Sequence, residues 1–180
     1  KNNSFIASIA DLYLDVTNNK LPTIVGMKKI LVDILTIDLF ITLQQGSLIT
    51  TFKTNNDPDI DKYKDSILYK NTNLSDPQQL ISLKNTINSF ENYINFILSN
   101  DVYIDYTYLW DLVCSKLLFP QGLNLVILEL KQDDTTSNVQ LICPSNHYSN
   151  SVFNANKKTA IILNIGNYYE PIYLFEDKKK

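Results

Sequence analysis

The sequence predicts an α+β fold, and two observations carry that expectation. Apolar residues recur at helical spacing through most of the first 118 residues, and after Pro120 and Gly122 the pattern changes to short extended runs separated by polar turns. Helices followed by a sheet indicate one α+β domain rather than alternating βαβ units. With 180 residues the chain fits a single domain of ordinary size, long enough to bury a core without a metal or disulfide staple.

Phe5, Ile9, Leu12 and Tyr13 set the first helix, with Asn3 as its N-cap and Asn18-Asn19 and Pro22 marking its end. A second helical stretch is expected from about Val25 to Leu43, on a stripe of Ile30, Leu31, Ile34, Leu35 and Ile41. Leu48 to Phe52 reads as a short extended piece, and residues 53–75 as the most loop-rich segment. Asp76-Pro77 then opens the clearest helix, whose stripe is Leu80, Leu83, Ile87, Phe90, Ile94 and Ile97. Fewer than three heptads make that stripe a buried face rather than a coiled-coil seam. A shorter helix spans Tyr106 to Leu118.

Strands are expected at Asn124–Leu130, Val139–Cys143, Thr159–Leu163 and Tyr168–Phe175, with Asn164-Ile165-Gly166-Asn167 as a hairpin turn. The nearly continuous apolar run of the first of these marks an interior strand. Lys178-Lys179-Lys180 reads as a solvated tail or a cut point. The chain does not begin with Met, and Met27 is its one methionine, so it reads as a piece excised from a longer polypeptide.

Composition narrows the function classes. Net charge is -3, and every basic residue is lysine. Sequence-specific nucleic-acid readers rely on arginine forks, so nucleic acid is not an expected partner. No run of 18 apolar residues occurs, and the first residues do not form a secretory signal, so neither a membrane nor secretion is expected. Two cysteines are too few for a disulfide framework.

Catalytic constellations are sparse. Cys143 and His147, four residues apart, supply half a zinc site, with only Cys114 and carboxylates to complete it. A Cys114–His147 nucleophilic pair is the other sharp option, but a thiol inside an apolar helix is usually inert. The four glycines form no phosphate-cradling loop. Neither a metal nor a cofactor is expected.

The two ends of the chain together resemble a known family. Asn3-Ser4-Phe5-Ile6-Ala7-Ser8-Ile9-Ala10 resembles the opening motif of ovarian-tumour (OTU) domains, the papain-like deubiquitinating cysteine peptidases. Ala160-Ile161-Ile162-Leu163 followed by Asn167-Tyr168-Tyr169-Glu170-Pro171-Ile172 is similar to the family's last hairpin. Asp105–Asp111 and Asn124–Glu129 fit the helix and central strand between them. The wording is close to OTU-like segments inside large proteins of nucleocytoplasmic large DNA viruses, and the Asn, Ile, Lys and Tyr content agrees with an AT-rich genome.

The resemblance implies a small mixed sheet flanked by helices, and the departures from it imply loss of catalysis. Ser4 stands where the family has its nucleophilic cysteine, and Tyr168 where it has its histidine. Glu170 takes the place of the residue that orients that histidine. A serine hydroxyl needs a strong local base, and a phenol with a pKa near 10 is not one at neutral pH. An engineered Cys-to-Ser change would explain Ser4 and leave Tyr168 unexplained. His147 reaching in from a neighbouring loop is the remaining route to hydrolysis.

The expectation is therefore a catalytically inactive OTU-like domain, not an enzyme, serving as a protein-interaction or assembly module of a viral protein. Its partners would be other proteins, ubiquitin or viral assembly components among them, in the host cytoplasm, viral factory or virion. A noncatalytic ubiquitin-binding domain and an active OTU-type peptidase are the alternatives. Any surviving recognition surface would involve Ser4, Phe5, Trp110, Tyr168 and Tyr169, lining the former cleft or supporting it.

Overall fold

The computed structural model describes residues 2–17, 20–130, 138–143 and 149–174. The expectations at Asn18-Asn19, His147, Phe175 and Lys178–Lys180 lie outside them. Helices α1 (Ser4–Thr17), α2 (Ile24–Asp33), α3 (Ile37–Phe40), α4 (Ser47–Thr51), α5 (Ile67–Lys70), α6 (Pro77–Leu98) and α7 (Tyr106–Val113) precede four strands. These are β1 (Leu123–Leu130), β2 (Val139–Ile142), β3 (Lys158–Ile165) and β4 (Tyr168–Ile172). The fold is mixed α+β, as the sequence pattern predicts. Two compact units divide the chain, residues 1–27 with 103–180, and residues 28–102.

The first unit contains the sheet, in the order β2-β1-β3-β4. β1 and β3 run parallel, and each carries an antiparallel strand on its outer side. Leu125, Ile127, Ala160, Ile162 and Tyr169 form the buried face of the sheet, and Phe5, Ile9, Leu109, Trp110 and Val113 supply the helical side of the core. Phe5 of α1 meets the Tyr169 ring edge-on at 5.2 Å between centroids. Two buried polar side chains hold the segment that leads into β3. Asp111 accepts bonds from Ser149 Oγ and, at 3.2 Å, from Ser151 Oγ. Asn124 donates to Asn154 O at 2.7 Å and accepts from Asn154 N at 3.0 Å. β3 and β4 join through Gly166-Asn167, and Gly166 takes φ 62°, as the first central position of a primed hairpin turn requires.

The second unit is built on α6. Asp76 caps it by accepting from Gln78 N and Gln79 N, with Pro77 in its first turn. Leu83, Ile87, Phe90 and Ile97 of the expected stripe are buried, and Phe40, Phe52 and Tyr93 complete an aromatic cluster. α6 also buries a polar row. Asn88 accepts from Thr54 N and Thr54 Oγ1 and donates to Asn56 O, while Ser89 donates to Ile49 O. These bonds satisfy backbone groups of α4 and of the irregular segment that follows it. At its far end, Lys28 Nζ donates to Ser99 O at 2.6 Å, and burial holds the Lys28 ammonium below its usual range.

Several element boundaries differ from the sequence expectations, each for a local reason. The stretch expected as one helix from Val25 to Leu43 breaks after Asp33. Thr36 adopts extended φ/ψ and accepts from Leu39 N, starting α3 anew. Gln44, Gln45 and Gly46 then take successive positive φ values of 49°, 58° and 80°. Leu48–Phe52 is not extended; it forms α4 and a closing turn. Thr50 and Thr51 bond back to Ser47 O, and packing of α4 on α6 overrides their β-branched preference. The 53–75 segment carries a 3-10 turn at Ile60–Tyr63 and α5, whose first N–H groups are received by Asp38. The helix from Tyr106 ends at Val113, where Cys114 caps it and receives Leu123 N on its carbonyl.

Candidate functional site

α1 begins at Ser4, with Asn2 Oδ1 receiving the Ser4 N–H at 2.8 Å. The same residue ties this end of the helix to β4. Ser4 Oγ accepts the backbone N–H of Tyr169 at 3.0 Å, and Asn2 Nδ2 donates to Asn167 O. The two segments of the family resemblance are thus brought together. The contact they make is not the one a hydrolase needs. The group opposite Ser4 is a peptide N–H donor, which cannot take a proton from the hydroxyl.

Tyr168 and Tyr169 alternate across β4. Tyr168 is 57% exposed and makes no hydrogen bond to Ser4. Tyr169 is buried against Phe5, and its hydroxyl accepts from Tyr103 OH at 3.3 Å. Burial pushes the Tyr169 phenol well above its ordinary range, with the Tyr103 hydroxyl and Asp105 acting in the same direction. It holds its proton at any physiological pH. Glu170 is exposed, two residues beyond Tyr168 on the same face of the strand.

A groove of about 410 Å3 lies along the outer edge of β4, walled by α1 and residues 21–24. Ser4, Tyr168, Tyr169 and Glu170 all line it. Phe5 and Trp110 do not; both are fully buried in the core. Trp110 meets Tyr106 edge-on at 5.5 Å, and its Nε1 has no partner among the described residues. The β4 edge facing the groove is blunted. Tyr169 N–H is taken by Ser4, and Pro171, next on that side, has no N–H. A peptide in the groove would therefore find carbonyl acceptors there and no strand-pairing donor.

The other candidates stand apart. Cys114 is buried, and burial raises its thiol to about 12, with Asp111 adding to the effect. Cys143 is half-buried, and neither cysteine forms a disulfide. Among the described residues no group of three or more His, Cys, Asp or Glu is placed to hold a metal ion. No helix among them is long and apolar enough to cross a membrane.

The feature not anticipated from the sequence is the second face of the sheet. Alternation places one side chain in two on the side opposite the core. Three adjacent cross-strand rows result, Val139, Leu130, Ile165 and Tyr168, then Leu141, Leu128, Leu163 and Glu170, then Val126, Ile161 and Ile172, and beyond them Asn124 and Thr159 form a polar fourth, where Asn124 is covered by Asn154. Ten of the eleven in the first three rows are apolar or aromatic, and none is fully buried. Leu141 is 63% exposed and Val139 53%. The signal was present in the strands themselves. β1 and β3 are apolar on both faces, as strands covered on both sides are, and among the described residues one of those faces is open.

Comparison with family models, curated proteins and solved structures returned no match.

Proposed function

We propose that this chain is a catalytically inactive OTU-like domain that works as a protein-interaction or assembly module of a viral protein. The observation that carries this reading is the open apolar face of the sheet. Exposed apolar patches of several hundred Å2 mark association surfaces, and this one lies on the far side of the sheet from its buried core. The engaged Ser4 hydroxyl supports the loss of catalysis. Its hydrogen-bond partner is a backbone donor, and the Tyr169 phenol, raised by burial, keeps its proton and offers no base. The partners are other proteins, viral assembly components foremost, and the place of action is the host cytoplasm, viral factory or virion.

The groove beside Ser4 favours one second reading, recognition of ubiquitin without cleavage. A single experiment separates the readings. The purified chain and a Ser4→Cys variant are incubated with a ubiquitin C-terminal electrophile and a panel of ubiquitin chains. No labelling or cleavage by either protein is the expected result. Labelling of Ser4→Cys alone would move ubiquitin recognition ahead of assembly. Turnover by the unmodified chain would overturn the proposal, and His147 would be the first residue to replace.

A further inference from the structure

The open sheet face calls for an occupant, and its composition restricts what that occupant can be. Glu170 is its one charged member, and it sits on the edge strand β4. A charged or strongly polar partner surface would be desolvated against Leu128 and Leu163 without compensation. The occupant must itself be flat, apolar and uncharged at its centre. At the exposures of its members, the face offers on the order of 600–800 Å2, close to what each subunit contributes to a standard stable interface.

We infer that the occupant is a second copy of this chain, packed sheet on sheet as a two-fold dimer. The inference rests on the interaction-module reading and names its partner. Self-complementarity is what an isologous interface requires, and this face provides it. A two-fold axis parallel to the strands, passing between β1 and β3, seats β4 of one copy over β2 of the other. Leu128 and Leu163 then meet their counterparts at the centre, in the position where an aligned sandwich buries its branched side chains. Glu170 and the Tyr168 hydroxyl fall at the rim, where both stay hydrated. Leu141 and Val139 of β2 are covered by the partner's β4, which accounts for apolar residues on a strand that otherwise exposes them.

The test is the mass of the full chain in solution by sedimentation equilibrium, from about 1 to about 300 µM, which covers even the weak end of the affinities that interfaces of this size reach. The expected result is a concentration-dependent approach to twice 20.7 kDa. Leu141→Glu and Val139→Glu, read separately, should each weaken association at least about a hundredfold, the first by setting a carboxylate against the partner's Glu170 and the second by burying one in the apolar contact. Ile67→Glu, at an equally exposed apolar site in the other unit, should leave it unchanged. Far-UV circular dichroism checks that each variant is folded, and the wild-type mass needs no variant at all. A monomer throughout the range overturns the inference, as does a dimer that folded Leu141→Glu and Val139→Glu leave intact. Neither outcome depends on catalysis, so failure here is distinct from the ubiquitin-electrophile result that would overturn the module reading.

Discussion

The side chain of Ser4 receives the backbone N–H of Tyr169 at 3.0 Å, joining the first turn of α1 to the edge strand β4. The Ser4 hydroxyl thereby serves as a structural cap. The bond satisfies a buried donor that no strand pairs, and with Pro171 it closes the edge of the sheet.

Ser4→Ala should therefore destabilise the protein, by about 1–3 kcal/mol, because it strands the Tyr169 N–H in a buried position. Ser4→Thr, which keeps the hydroxyl, should recover part of that loss if its methyl is accommodated. Chemical denaturation of the three proteins provides the measurement. An unchanged midpoint for Ser4→Ala would mean that the bond contributes nothing.

Alkaline pH should weaken the fold. The Cys114 thiol is raised by burial to about 12 from an ordinary value near 9, so the native state holds this proton more tightly than the unfolded chain. Its contribution is complete below about pH 9 and is lost as pH rises through about 12. Tyr169 and Tyr63, also raised chiefly by burial, act in the same sense from about pH 10 upward. The denaturant midpoint should fall across that window, and Cys114→Ala should lessen the fall in its lower part. A flat profile from pH 9 to 11 would contradict the burial of these groups.

In the second unit, Asn88→Ala removes the acceptor of Thr54 N and the donor to Asn56 O at once. The expected cost is about 2–3 kcal/mol, with faster amide exchange at Thr54 than at sites in the first unit. Asn88→Asp should restore the acceptor for Thr54 and leave Asn56 O unpaired, recovering only part of the loss.

The β3–β4 turn gives a simpler backbone prediction. Gly166 holds φ 62°, so Gly166→Ala should cost about 1 kcal/mol, and Gly166→Asn less. Equal stability of the wild type and the Ala variant in thermal unfolding would contradict this turn geometry.

Much of this architecture is legible in local sequence. Asp76-Pro77 and the stripe from Leu80 to Ile97 specify α6, because the cap and the periodicity agree. The four strands and the Gly166 hairpin follow from alternation and turn chemistry. The α4 helix did not, since Thr50 and Thr51 argue locally for a strand and only their packing decides otherwise. The break at Thr36 was hidden for a related reason: its hydroxyl caps a helix of four residues, too short to show a period. At the candidate site, the approach of Ser4 to β4 joins residues 165 positions apart, which no local pattern encodes. That Tyr169 rather than Tyr168 faces the core depends on strand register, which a single sequence does not fix. The open sheet face was missed because apolar residues on both sides of a strand imply two covers, and a sequence does not say which chain provides the second.

The most direct test of the central claim compares two thiols on the same unit. Leu141→Cys places one on the sheet face, and Leu21→Cys places one at the rim of the Ser4 groove, where the side chains are similarly exposed. Each is titrated with a thiol reagent at low and high protein concentration, with the slower native cysteines as the baseline. Protection of Cys at position 141 that grows with concentration, alongside a constant rate at position 21, is the predicted result. Protection at position 21 with none at position 141 would make the groove the contact surface and contradict the account.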